Sequence, residues 1–193
     1  EAPDLQQALG RMARSGVRYA IIEVSSHALE LSRVSGCDFN LAVLTNVTDD
    51  HLDFHRTRAR YLAAKAKLFS QLGGSFLKGS QPRFAVINRD DANYEYFLRQ
   101  TTVQPVSYGI KGPAEIRAQD VAVKDSGVKY KLLSPWGEMD FSLQLTGYFN
   151  IYNALAATSV ALLEGIELQE IKDALENIKG VPGRFERVDF GQD

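Results

Sequence analysis

The chain is 193 residues long, enough for one sizeable hydrophobic core or for one core with an appended subdomain. It is 45% hydrophobic and 24% charged, the balance of an ordinary globular protein, and its net charge of -2 argues against a nucleic-acid or membrane-surface partner. Its one cysteine, Cys37, excludes an internal disulfide and suits a reducing cytosol, and no stretch reads as a signal peptide or membrane span.

Without an initiator Met, Glu1-Ala2-Pro3-Asp4 runs directly into a helical pattern, and Gly191-Gln192-Asp193 follows a strand-like stretch. Both ends read as cut from something larger. Leu5, Ala8, Leu9 and Met12 fall at helical spacing, with Asp4 in the first turn and Gly16 as the stop. YAIIEV (19–24) is a short continuous apolar run of the kind buried in a parallel sheet. A second such run, at 41–44, turns polar at Thr45-Asn46, and the first turns polar at Glu23, Ser25, Ser26 and His27. Ligands of open α/β sheets sit beyond the carboxyl ends of strands, so the two runs predict a shared rim. A helix is expected over 57–72, with Tyr61, Ala64, Leu68 and Leu72 on one stripe and Gly73-Gly74 ending it.

FAVIN (84–88) predicts another buried strand, Asp90-Asp91 the start of a short helix through Leu98, and 103–108 a further strand. Residues 116–145 then alternate apolar and polar side chains, punctuated by Asp-Ser-Gly and Ser-Pro-Trp-Gly, as in a small antiparallel meander. Helical spacing returns over 149–165 and 168–178, Gly180-Val181-Pro182-Gly183 breaks it, and RFERVDF closes as a strand. The fold class expected is α/β: a doubly wound, mostly parallel sheet flanked by helices, with a small antiparallel β subdomain at about 114–145.

Polar chemistry crowds between strand and helix at Asp49, Asp50, His51, Asp53 and His55. These side chains could bind a divalent cation or its waters. The acids could instead cap the next helix while the histidines satisfy loops, and His51 with His55 at four-residue spacing leaves a zinc pair open. Glu23, ending an apolar strand, must be paired or metal-bound if buried, because an isolated buried charge costs several kcal/mol. Lys65, among alanines, reads either as an exposed lysine or as an amine whose depressed pKa lets it take up CO₂ as a carbamate. Asn150 and Asn153 share a helix face near its start, as caps or as amides that read a base edge. Arg33, Arg184 and Arg187 are either surface arginines or bidentate holders of phosphate or carboxylate. A phosphate loop of the form GxxxxGK[ST] is absent from the sequence.

EVSSHALELSRV (23–34), LTNVTDDHLDFH (44–55), YLAAKAKLF (61–69), LTGYFNIYNALAA (145–157) and GVPGRFERVDFGQD (180–193) together resemble the central, ATP-binding domain of the Mur ligase superfamily. The match runs in register over nearly the whole chain. It implies part of an ATP-dependent ligase that forms an acyl phosphate on UDP-MurNAc-L-Ala-D-Glu. The amine of meso-diaminopimelate or L-lysine then attacks, in peptidoglycan precursor synthesis. The resemblance implies Glu23, His51 and carbamylated Lys65 around Mg²⁺, with Lys65 and His51 catalytic. It implies Ser25 and Arg33 on the UDP-MurNAc-dipeptide, and Asn150, Asn153 and Arg184 on ATP.

In the family a phosphate loop and a Thr-Thr-Pro segment precede the first residue here, and further domains flank both sides. On that reading 1–193 is one central domain truncated at its N-terminal side, inactive alone, cytoplasmic and monomeric, with neither nucleic-acid nor membrane partners. Leu31 and Asp49 depart from the polar and basic residues common at their positions. The alternatives are a non-catalytic Mur-like binding module and another superfamily ligase such as folylpolyglutamate synthetase, against which EVSSHAL speaks.

Overall fold

Helical spacing near the start becomes α1 (Ala2–Arg14), with Asp4 in its first turn, and Gly16 at φ +76 ends it. The computed structural model describes residues 2–48, 52–72 and 82–180. Asp49, Asp50, His51, the Gly73-Gly74 stop, Arg184, Arg187 and the closing strand expected over 184–190 lie outside those residues.

The remaining elements follow as α2 (Ser26–Glu30), β1 (Leu41–Leu44), α3 (Leu52–His55), α4 (Arg58–Ser70), β2 (Phe84–Asn88), α5 (Tyr94–Gln100) and β3 (Gln104–Gly109). Then come β4 (Ile116–Lys124), β5 (Gly127–Ser134), β6 (Gly137–Leu143), α6 (Tyr148–Leu163) and α7 (Leu168–Glu176). The six strands form one sheet in chain order, β1 to β6. The α/β expectation holds, with helices flanking a mixed sheet.

By their internal packing the residues divide into two compact units, 1–85 with 92–105 and 86–91 with 106–193. In the first unit, Thr57 caps α4 by accepting the Arg60 N–H, and the helix buries Tyr61, Ala64, Ala66 and Phe69. Phe69, rather than the expected Leu68, is the buried residue of the last turn, and it meets Phe97 of α5 edge to face at 5.3 Å.

In the second unit β3 and β4 run parallel, while β4, β5 and β6 form an antiparallel meander with two-residue turns. Gly127 starts β5 at φ +138, where a Cβ would stand 2.1 Å from the Leu143 carbonyl oxygen, so only glycine fits that strand pair. Asp120, at φ 53, marks a bulge where the β4–β5 register shifts between Gln119 and Ala122. Helix α6 lies on β4 and α7 on β6, and Ile151, Leu155, Ile116, Leu132 and Phe141 are closed from solvent.

Two expectations fail. Residues 19–24 form no strand: Tyr19 is half exposed and Ile21 is 98% exposed. An apolar run becomes a buried strand only where neighbours supply a ladder, and among the described residues none pairs with it. Asp90 and Asp91 do not start a helix either, because α5 begins at Tyr94. The Asp90 carboxylate instead accepts the N–H groups of Ile110 and Lys111, which holds it in the turn after β2.

Among the described residues no helix is long and apolar enough to cross a membrane.

Candidate functional site

EVSSHALELSRV folds around the five-residue helix α2. Ser25 is its N-cap, in extended backbone, and its Oγ accepts the Ala28 N–H at 3.1 Å. At the far end Ser32 takes φ 55, its N–H donating to Leu29 O at 3.3 Å, while the Arg33 N–H donates to Ala28 O at 2.8 Å. These are the two bonds of a Schellman ending, built here without glycine. The two expected substrate contacts, Ser25 and Arg33, therefore stand at opposite ends of one short helix, both exposed.

Glu23 is exposed as well. The requirement that a buried carboxylate be paired or metal-bound lapses with the strand that was to bury it. What the structure leaves is a solvated carboxylate two residues before the helix cap.

The LTNVTDDHLDFH and YLAAKAKLF stretches become the end of β1, α3 and α4. His55, the last residue of α3, is 4% exposed, and its Nε2 lies 2.9 Å from Oγ of Ser26, itself 1% exposed. An aromatic cluster surrounds the pair: His55 meets Phe54 at 4.8 Å, His27 at 5.5 Å and Tyr61 at 5.4 Å between ring centroids. His55 is thus spent inside the fold, in line with the loop-satisfying reading and against a zinc pair. Lys65, one turn beyond Tyr61, is half-buried with Nζ 5.3 Å from that ring's centroid, a cation–π contact. Lys67 bonds Glu30 of α2, and this bond and its charge hold the Glu30 carboxyl below the usual carboxylate range.

Magnesium needs several hard oxygen ligands. Among the described residues no group of three His, Cys, Asp or Glu side chains could hold a metal ion. Glu23 and Lys65 alone do not form such a centre, and His51 lies outside the described residues.

In the second unit, α6 begins at Gly147 with φ +92, where a Cβ would stand 2.6 Å from the Phe149 ring. No side chain caps this end. Asn150 Nδ2 donates to Thr146 O at 2.8 Å, and Asn153 Nδ2 donates to Asn150 Oδ1 at 3.4 Å. The two amides share a face and touch, with Asn150 half-buried and Asn153 exposed. The Asn150 side-chain N–H serves the local turn by donating to a carbonyl, so neither asparagine is the helix cap, and Asn153 faces solvent. Tyr152 between them donates its hydroxyl to Asp90 at 2.8 Å.

Glu23, Ser25, Arg33 and Lys65 thus belong to the first unit and Asn150 and Asn153 to the second. From the sequence alone no site role attached to Ser26, Tyr61, Asp90 or Tyr152. The only signal for them was position: Ser26 beside the cap, Tyr61 one turn before Lys65, Asp90 after a strand, and Tyr152 between two asparagines.

The family model described as Mur ligase middle domain matches residues 1–161. The chain is 43% identical over 192 residues to the UDP-N-acetylmuramoyl-L-alanyl-D-glutamate–2,6-diaminopimelate ligase of Bacillus cereus, covering 100% of this chain and 39% of that protein. It is 45% identical over 188 residues to the protein of the same name from Halalkalibacterium halodurans, covering 97% of this chain and 38% of that one. A solved structure of a UDP-N-acetylmuramoyl-L-alanyl-D-glutamate–2,6-diaminopimelate ligase superposes with TM-score 0.83 at 33% identity, over 94% of this chain and 37% of that one. The chain therefore spans about two-fifths of the length of these relatives. With five motifs in order, a six-stranded α/β sheet and a family match over most of its length, the chain belongs to the Mur ligase middle domain family.

Proposed function

We propose that the chain is the central, ATP-handling part of a cytoplasmic ligase that adds a diamino acid to UDP-MurNAc-L-Ala-D-Glu. The added amino acid is 2,6-diaminopimelate, as in the relatives' names. The observation that carries this reading is the alignment of the whole chain, at 43% identity, with a protein bearing that activity in its name.

The reaction has two steps. An oxygen of the D-glutamate carboxylate attacks the γ-phosphorus of ATP, the bond to the bridging oxygen breaks, and ADP leaves. The amine of the diamino acid then attacks the acyl carbon, the C–O bond to phosphate breaks, and the amine gives up a proton as the amide forms.

Each residue's part follows from its setting. Ser25 accepts the Ala28 N–H, which leaves its own O–H able to donate to the dipeptide substrate. The exposed Arg33, on a rigid helix ending, offers a bidentate fork for carboxylate or phosphate. Asn153, exposed on α6, presents an amide to the adenine edge, with Asn150 orienting it and Arg184 gripping phosphate. Glu23, His51 and Lys65, the last as its carbamate, would hold Mg²⁺, which offsets the repulsion between carboxylate and triphosphate. The reading takes the active protein as a monomer.

Two measurements test this. The 193-residue chain, which lacks a GxxxxGK[ST] loop, should release no ADP, whereas the longer protein containing it should turn over. In that longer protein Lys65→Ala should lose ligation and recover part of it with short-chain carboxylic acids. Undiminished ligation by the variant would remove Lys65 from the mechanism.

A further inference from the structure

The hydrogen bond between Ser26 and His55 joins residues 29 apart in the chain and is closed from solvent. None of the roles above uses it. An apolar pair of the same shape would fill this space at little cost, since a buried neutral hydrogen bond adds only modest net stability. What an apolar pair could not supply is direction: the bond sets the rotation of the His55 ring.

That rotation matters because of what is attached on either side. Ser26 directly follows Ser25, so one serine caps α2 facing solvent while its neighbour points into the fold. His55 ends α3, and its carbonyl oxygen accepts the Thr57 N–H at 2.8 Å around Arg56, which is held at φ 63. Thr57 then caps α4. The His55 ring lies on Tyr61, and the Lys65 ammonium lies over that same ring one turn later. A continuous path of contacts, all within the first unit, thus leads from Ser26 through His55 and Tyr61 to Lys65.

We propose that His55, oriented by Ser26, is a positioning residue that sets the place of Lys65 relative to the N-terminus of α2. It touches neither substrate nor nucleotide and acts through Tyr61. The proposal deepens the ligase reading and rests on it for its catalytic consequence, but not for its geometry.

The test therefore has two arms. On the 193-residue chain, competitive labelling of lysines with an amine-reactive acylating reagent, read by peptide mass, reports how Lys65 is held. Ser26→Ala and His55→Phe should label Lys65 several-fold faster than the native chain does, while Lys131 of β5 labels at its native rate. His55→Gln, which keeps a hydrogen-bonding group, should restore part of the protection. In the longer protein the same two variants should lower kcat by about 100-fold, the scale set by a misplacement of about 1 Å. KM for ATP should stay within about twofold, because ground-state binding is untouched.

Native labelling of Lys65 in both variants overturns the proposal, whatever the kinetics. Native kcat in a longer protein that does ligate also overturns it. A longer protein that does not ligate at all sinks the ligase reading and leaves the labelling arm to decide the positioning claim. Should His55→Phe fail to fold, Ser26→Ala, a deletion of one oxygen, carries both arms.

Discussion

Asp90 accepts the Tyr152 hydroxyl at 2.8 Å through Oδ2, the same oxygen that receives the N–H groups of Ile110 and Lys111 at 2.6 and 2.9 Å. One carboxylate oxygen thereby ties α6 to the turn after β3. Asp90→Ala removes all three bonds and leaves the part-buried Ile110 N–H without this acceptor. It should cost about 2 kcal/mol or more, the range of hydrogen bonds to a charged group. The urea midpoint of the 193-residue chain measures this, and a native midpoint would show the tie to be idle.

Alkali should destabilise the fold. The phenols of Tyr108, Tyr130 and Tyr152 are all pushed well above the ordinary tyrosine range, in each case first by burial. Negative neighbours add to the shift: Asp91 at Tyr108, Glu176 at Tyr130 and Asp90 at Tyr152. A raised folded pKa means that the native state keeps a proton that the unfolded chain releases near pH 10. This stability is fully present below about pH 10 and is lost as pH climbs toward the folded values. Denaturant midpoints should hold steady up to about pH 9 and fall through about pH 11, less steeply in Tyr108→Phe. A flat profile across that window would contradict the assignment.

Tyr130 carries a different consequence. Its ring stacks on Phe141 at 5.2 Å and 3°, while its buried hydroxyl has no hydrogen-bond partner among the described residues. Tyr130→Phe keeps the stack and removes the orphan, so it should stabilise by about 1 kcal/mol. A rise in thermal midpoint checks this, and a fall would reveal a partner for the hydroxyl.

Ser32 sits in left-handed backbone at φ 55, where an L side chain costs roughly 1–2 kcal/mol. Ser32→Gly relieves that strain but gives the unfolded chain more freedom, so the net gain should be about 0.5–1 kcal/mol. Ser32→Val should lose about as much or more, because a β-branched residue is worst in this region. Thermal melts of the two variants should move in opposite directions.

Much of the fold was readable along the chain because its signals are local. FAVIN became β2 at the bounds its apolar run suggested, and alternation over 116–145 became β4, β5 and β6. The meander's turns carry the glycines that its backbone demands, Gly127 and Gly137. Residues 19–24 failed by the same logic, since an apolar run states only that a strand could form. Whether it is paired depends on neighbours that no local pattern names.

Family membership, the strands β1 to β6 and the helices α1, α4, α6 and α7 were legible in the sequence itself, which also put forward Glu23, Ser25, Arg33, Lys65, Asn150 and Asn153 as candidates. Each depends on residue identity at short spacing. Tertiary structure alone decided which polar groups serve the fold. His55 reaches Ser26 across 29 residues and Asp90 reaches Tyr152 across 62, partnerships that depend on chain folding rather than on spacing. It also reversed the setting of Glu23, from a carboxylate buried at a strand end to one in open solvent. Burial belongs to the surroundings of a residue, and the surroundings exist only once distant segments pack.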